Sequence, residues 1–129
     1  MTEKPENLWP TDFGMPQSTP PVVLLKQQAS LLGTITNNLV EAEINTTQSG
    51  NQFYHTLVLV APALDNYRYA LLRVIHEIDL YPLEMRYLPT GVSNTVTDEN
   101  SFKAHLSSCF AEPKTRQVIA ALIAQSKNQ

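Results

Sequence analysis

The sequence predicts a single α+β domain in which an antiparallel four-stranded β-meander is preceded by one helix and followed by two helices. Two patterns lead to this prediction. Apolar residues recur with helical spacing after residue 20 and again after residue 98, whereas the stretch between them alternates with the period of two that is typical of strands. A chain of 129 residues is also the size of one domain and can bury one hydrophobic core.

Residues 1–19 are expected to form an irregular, proline-rich N-terminal arm, and residues 20–129 the single α+β domain. Prolines interrupt the first 21 residues, and no helical or alternating period appears there. Trp9 and Phe13 lie between these prolines. Because an exposed tryptophan is unfavourable unless something covers it, we expect part of the arm to pack on the domain or on a neighbouring molecule.

The first helix is predicted from Pro20 to about Thr36, where prolines suit the first turn and Ser18 or Thr19 can cap it. Asn37 and Asn38 should end it. Its apolar stripe is unusually wide and indicates a core helix. The stripe consists of Val22, Leu25, Ala29 and Leu32, widened by Leu24, Leu31 and Ile35.

Four strands follow in the predicted meander, and the last of them contains Pro82, which suits only an edge or a bulge. Residues 89–96 are expected to be a linker around Gly91. Asp98 should cap the next helix and Pro113 should open the last one. The predicted strands are Leu39–Thr47, Phe53–Ala61, Tyr67–Glu77 and Leu80–Leu88.

The two middle strands carry apolar residues on both faces. Since a sheet with one solvated face should alternate cleanly, we expect both faces to be covered. The helices can cover one face. A second copy of the chain, another protein or the arm would cover the other, so a homodimer is one expectation.

Composition excludes several classes of protein. The longest apolar run, Leu57 to Leu64, is far shorter than the ~20 residues that cross a bilayer, so we expect no membrane association. The mixed charge of residues 1–6 does not predict a secretory signal. Cys109 is the only cysteine, and the cytoplasm is the expected location. No glycine-rich phosphate loop or metal-ligand spacing occurs, and we expect neither a cofactor nor a metal.

Tyrosine and arginine residues cluster in the sheet region, as they do in protein interfaces. The leading hypothesis is therefore a non-enzymatic interaction protein, an adaptor or inhibitor, whose partner is another protein or the chain itself. Single-stranded nucleic-acid binding is a second hypothesis, because bases stack on tyrosines. The net negative charge of the region argues against it. The candidate contact residues are Tyr67, Tyr69, Arg73 and Tyr87.

A further hypothesis is an enzyme or small-molecule-binding protein with a cleft beside the sheet, using His55, His76, Glu77 and Asp79. A histidine and carboxylates near a strand end could act as base, orienting group or ligands. His55 could face His76 across an antiparallel pair if the register permits. No third metal ligand is placed by the sequence. Cys109 lies on an apolar helical stripe, which favours a structural role.

The segment Leu59–Tyr69, followed by His76, Tyr81–Pro82 and Lys114–Ile119, resembles a group of small uncharacterised bacterial proteins. The likeness runs from about residue 20 to 126. The resemblance implies a bacterial, intracellular origin and a stand-alone domain, and it implies no activity or site.

Overall fold

The alternating segments form one five-stranded antiparallel sheet in which neighbours in sequence are neighbours in space. The computed structural model describes residues 4–14 and 18–129. One helix precedes the sheet and two follow it, which confirms the predicted α+β class and element order. The strands are β1 (Glu41–Ser49), β2 (Gln52–Ala61), β3 (Tyr67–His76), β4 (Leu83–Tyr87) and β5 (Val92–Val96), and the helices are α1 (Pro21–Ile35), α2 (Glu99–Ala111) and α3 (Pro113–Lys127).

The prediction of four strands is wrong, because part of the expected linker forms β5. This edge strand pairs with β4 from Leu83↔Val96 to Tyr87↔Val92. Of its side chains only Val96 is buried, so β5 is stabilised mainly by backbone hydrogen bonds and carries no alternating signal. The turn before it places Gly91 at φ 76°, a conformation that suits glycine.

The ends of α1 differ in how well the sequence predicted them. Asn37 and Asn38 have positive φ values of 53° and 63° and end the helix as expected. The expected side-chain cap is absent, since Pro20 is the residue before the helix. Instead, the Thr19 N–H donates to Oε1 of Glu99 at 2.6 Å. This bond ties the start of α1 to the start of α2.

The core lies between the three helices and one face of the sheet, with Phe102 and Leu25 fully buried in it. A β-bulge interrupts the regular pairing of β2 with β3. Leu57 pairs with Leu72 whereas Val58 pairs with Ala70, so Leu71 is the extra residue on β3. Leu71 and Leu72 are consecutive residues and are both buried in the core. This explains why the sequence of β3 has apolar residues on both faces at this point.

The opposite, outer face of the sheet has no second layer within residues 4–14 and 18–129, so the expectation that the sheet is sandwiched is not met there. Its apolar residues, Val58, Val60 and Ile75, are nevertheless buried. Arg68 on β3 and Glu43 on β1 reach across β2 to form an ion pair of 2.7 Å. Long polar side chains thus cover the valines, as their aliphatic stems can.

Candidate functional site

The four predicted contact residues do not form one surface. Tyr67 and Tyr69 lie on the helix side of the sheet, beside α3, where they line a depression with Lys114. Arg73 lies on the outer face and donates from Nε to the Thr56 hydroxyl at 3.1 Å. A partner that contacts both tyrosines would therefore face away from Arg73.

Tyr87 is buried beneath α3, with only 6% of its surface exposed. Its hydroxyl lies 2.6 Å from the Thr115 Oγ1. Since Thr115 donates to the carbonyl of Cys109 at 2.8 Å, Tyr87 is the donor in this chain of bonds. Tyr87 joins the sheet to the connection between α2 and α3 and is not accessible to a partner on the surface.

The structure brings His55 and His76 together on the helix side of the sheet. His76 pairs with Phe53 and His55 pairs with Val74, so the two histidines are diagonal neighbours on β2 and β3. Their Nε2 atoms are 2.9 Å apart, and both side chains are buried. The sequence predicted that these histidines could face each other if the register of the strands permitted it, and the register of β2 and β3 does bring them into contact.

The hydrogen bonds assign the protons of this histidine pair when both rings are neutral. The Glu77 carbonyl can only accept, so Nδ1 of His76 donates to it and Nε2 of His76 must accept. Nε2 of His55 is then the donor to His76. That leaves Nδ1 of His55 as the acceptor for the Thr46 hydroxyl at 2.9 Å. All four ring nitrogens are engaged, and none is free to remove a proton from a substrate.

Burial holds His55 in its neutral form. Desolvation, followed by the nearby His76 and Lys26, lowers the pKa of His55 from 6.5 to about 4. A charged imidazole would lose its water and gain no carboxylate partner here. His55 is therefore a neutral link between β2 and β3 at neutral pH.

The carboxylates of the enzyme hypothesis do not join this pair on a strand, because β3 ends at His76. Glu77 and Asp79 instead line an open depression of about 340 Å³ together with His76 and Tyr81. Burial raises the pKa of Tyr81 to about 12, so its hydroxyl stays protonated. Among the described residues, no group of three or more histidine, cysteine, aspartate or glutamate side chains is placed to hold a metal ion.

Cys109 is half-buried, and burial raises the pKa of its thiol, with Glu112 adding to the effect. A reactive cysteine needs the opposite shift, because the thiolate is the nucleophile. The environment supports the structural role that its helical position indicated.

A gap in the helical layer lies over the floor of the core, although the leucines of that floor are only 1–2% exposed. It is a cavity of about 210 Å³ between α1 and the other two helices, which we call the interhelical cleft. The floor is made of sheet leucines, and Gln28 is the single polar residue in a lining that is otherwise apolar. The lining includes Leu57, Leu59 and Leu71 from the sheet, Leu32 and Ile35 from α1, Phe110 from α2 and Ile119 from α3.

Exposed apolar residues border this cleft. Leu31 and Ile35 lie on its α1 wall and are 53% and 75% exposed. Together with Leu24, which is buried, they widen the predicted apolar stripe of α1. The wide stripe predicts a core helix, but in the structure Leu31 and Ile35 are exposed beside the cleft.

Between α1 and α2 the cleft continues into a shallower depression of about 760 Å³, with Gln28 and Phe110 shared by both. Two cations line this part, Lys103 on α2 and Arg116 on α3. Lys103 is paired with Glu99 at 3.1 Å. Within the described residues Arg116 forms no ion pair. The cleft is therefore apolar at its floor and positive at one side.

Comparisons of the chain with models of protein families, with curated proteins and with solved structures gave no match.

In the part of the chain that the structure describes, no helix has the length and apolar character that a bilayer crossing requires.

Proposed function

We propose that this protein is a non-enzymatic interaction module, an adaptor or inhibitor, that receives an apolar side chain of a protein partner in the interhelical cleft. The observation that carries the proposal is the opening above Leu57, Leu59 and Leu71, which leaves core leucines in contact with a cavity. Two further apolar side chains, Leu31 and Ile35, extend this surface outward. A cytoplasmic location remains a prediction from the single cysteine.

The size of the cleft favours a side chain over a drug-sized molecule. Sites for such molecules usually measure about 300–1,000 Å³ and contain several polar groups that fix orientation. An apolar cavity of about 150 Å³ accepts benzene. The cleft, at about 210 Å³, therefore has room for one aromatic or branched side chain, while Leu31 and Ile35 offer contact area around it.

The enzyme hypothesis draws no comparable support from the geometry, because His55 and His76 use their ring nitrogens on each other and on Thr46 and Glu77. The nucleic-acid hypothesis required tyrosines on one face. Tyr54 lies on the outer face, whereas Tyr69 and Tyr87 lie on the helix side. These side chains do not form one stacking platform.

Indole is a direct probe of the cleft, since it is the ring system of a tryptophan side chain and carries no peptide backbone. Titration of the ¹⁵N-labelled protein with indole, followed by amide chemical shifts, should perturb amides of α1 and of residues near Phe110 and Ile119. Ile35→Asp should abolish these changes, because a carboxylate beside an apolar cavity disfavours an apolar ligand. Ile78→Asp is the matched control, as Ile78 is 78% exposed outside this cleft.

A protein partner can then be sought at the same place. A photoreactive amino acid at position 31 should cross-link to a partner in cells that produce the protein, and the purified pair should bind through the cleft. Binding that survives Ile35→Asp, or indole shifts that appear away from the helices, would contradict the proposal.

A further inference from the structure

The N-terminal arm presents apolar side chains that its own domain does not cover. Leu8, Trp9 and Phe13 are 83%, 74% and 76% exposed. The rings of Trp9 and Phe13 contact each other with centroids 6.4 Å apart, and residues 4–14 are all exposed. Exposure of these apolar side chains to water is unfavourable. When an aromatic side chain docks, roughly 150–250 Å² of its surface is removed from solvent.

The chain enters the domain in an extended conformation. Pro20 has φ −55° and ψ 140°, and Pro21 begins α1. Thr19 precedes a proline and is disfavoured from helical geometry, while its N–H donates to Glu99. From Thr19 to Trp9 the chain can span roughly 33 Å when extended, which is long enough to reach a neighbouring molecule.

The interhelical cleft fits the arm in size and polarity. Its cavity of about 210 Å³ is apolar and has room for one aromatic ring. Trp9 is the largest exposed apolar side chain of the arm, and Phe13 can lie beside it in the adjoining depression between α1 and α2.

The charges are complementary as well. Glu6 and Asp12 flank Trp9 at three residues on either side. Lys103 and Arg116 line the depression beside the cavity. When the ring of Trp9 occupies the cavity, an extended arm can bring a carboxylate towards these cations. Residues 1–19 carry three carboxylates, Glu3, Glu6 and Asp12, and one cation, Lys4, so the arm has a formal charge of −2.

We infer that the arm of one copy docks in the interhelical cleft of a second copy, with Trp9 in the cavity, and that reciprocal exchange of the two arms forms a two-fold dimer. This inference rests on the proposed function and names its partner as the chain itself. Two equal contacts form together, so neither cleft nor arm is left open.

Two aromatic side chains from each arm bury roughly 600–1,000 Å² of their own surface. With a similar area on the two clefts that receive them, the total lies within the range of specific complexes. Area alone does not set affinity, because association also costs translational and rotational freedom and the ordering of side chains. We expect association in the micromolar range, so that the dimer dissociates on dilution.

Trp9 is the only tryptophan of the chain, so its fluorescence reports docking directly. Emission spectra and sedimentation equilibrium of the full chain are measured from about 1 to about 300 µM, the range that brackets a micromolar equilibrium. We expect the emission maximum to move to shorter wavelength and the mass to rise from monomer to dimer over the same concentrations.

Three variants test the contact. Trp9→Ala and Ile35→Asp should each weaken self-association about tenfold or more, whereas the matched change Ile78→Asp should leave it unaltered. Ile35 and Ile78 are both highly exposed, so loss of folding does not explain a difference between them. Circular dichroism of all three variants checks this.

A mixture separates exchange between copies from docking of an arm on its own domain. In a mixture of Trp9→Ala and Ile35→Asp, the only tryptophan belongs to the chain whose own cleft is blocked. A shift of its emission on mixing supports docking in the other copy, and an unchanged spectrum overturns the inference. A monomer with shifted emission at every concentration means that the arm binds its own cleft, which also overturns it.

The indole titration keeps the two proposals distinguishable. Indole shifts in the cleft of a protein that stays monomeric, with tryptophan emission typical of water, overturn the dimer and leave the proposed function standing. If Ile35→Asp changes neither the indole-induced amide shifts nor the self-association of the chain, both proposals fail.

Discussion

Acidification should destabilise the protein through the buried side chain of His55. The pKa of His55 in the folded protein is about 4, against 6.5 in the unfolded chain. Near pH 5 the unfolded chain therefore binds more protons at this residue than the folded protein does. The stability that the neutral ring contributes is complete above pH 6.5 and is lost as the pH falls towards 4.

The pKa difference sets the magnitude. Moving from 6.5 to about 4 corresponds to a loss of roughly 3 kcal/mol in the free energy of unfolding when His55 is fully protonated. At pH 5 most of the unfolded chains and few of the folded ones carry the proton, and the loss relative to pH 7.5 is about 2 kcal/mol. Such a loss is a large part of the stability of a small domain.

Urea denaturation at pH 7.5, 6.5, 5.5 and 5.0 measures this loss. His55→Gln retains an N–H donor towards His76 and removes the titrating ring, so its loss of stability between the pH extremes should be less than half that of the unaltered protein. His105→Gln is the control, because His105 lies on α2, away from the histidine pair, and donates from Nδ1 to the Ser101 carbonyl. An unfolding free energy that is the same at both pH extremes, or a His55→Gln variant with the full pH dependence, would refute the reasoning.

Three other predictions concern the stability of the fold. Phe102→Ala removes a fully buried ring and should lower the free energy of unfolding by roughly 3–5 kcal/mol, measured by urea denaturation. Tyr87→Phe leaves the Thr115 hydroxyl bonded to its carbonyl acceptor and should cost about 1 kcal/mol; no loss would show that this bond is dispensable. A double-mutant cycle of Arg68→Ala and Glu43→Ala should give a coupling below about 1 kcal/mol, since both side chains are about half exposed.

Much of the fold was predictable because local and tertiary preferences agree. Asn37 and Asn38 end α1 by adopting positive φ, and Asp98 caps α2 by accepting a 2.7 Å hydrogen bond from the Ser101 N–H. β5 escaped prediction for the opposite reason. Its side chains are polar apart from Val96, which is buried, and Val92, which is exposed, so only pairing with β4 makes this segment a strand.

The candidate functional residues were likewise only partly predictable from the sequence. The sequence indicated His55 and His76 as possible neighbours, yet their 2.9 Å bond depends on a register that places them diagonally on β2 and β3. Tyr87 matched the composition of an interface, but its position in β4 directs it beneath α3. Surface or core location was decided by which face the helices cover.

The sequence by itself determined the class of fold, most of the helix ends and the apolar content of β2 and β3, because these follow from spacing, capping and conformational preference along the chain. Only the tertiary structure decided that polar side chains would cover the outer valines, that two histidines would saturate each other, and that three helices would leave an opening above Leu57, Leu59 and Leu71. The physical reason is that burial and cavities arise from distances between elements, and periodicity within one element does not specify those distances.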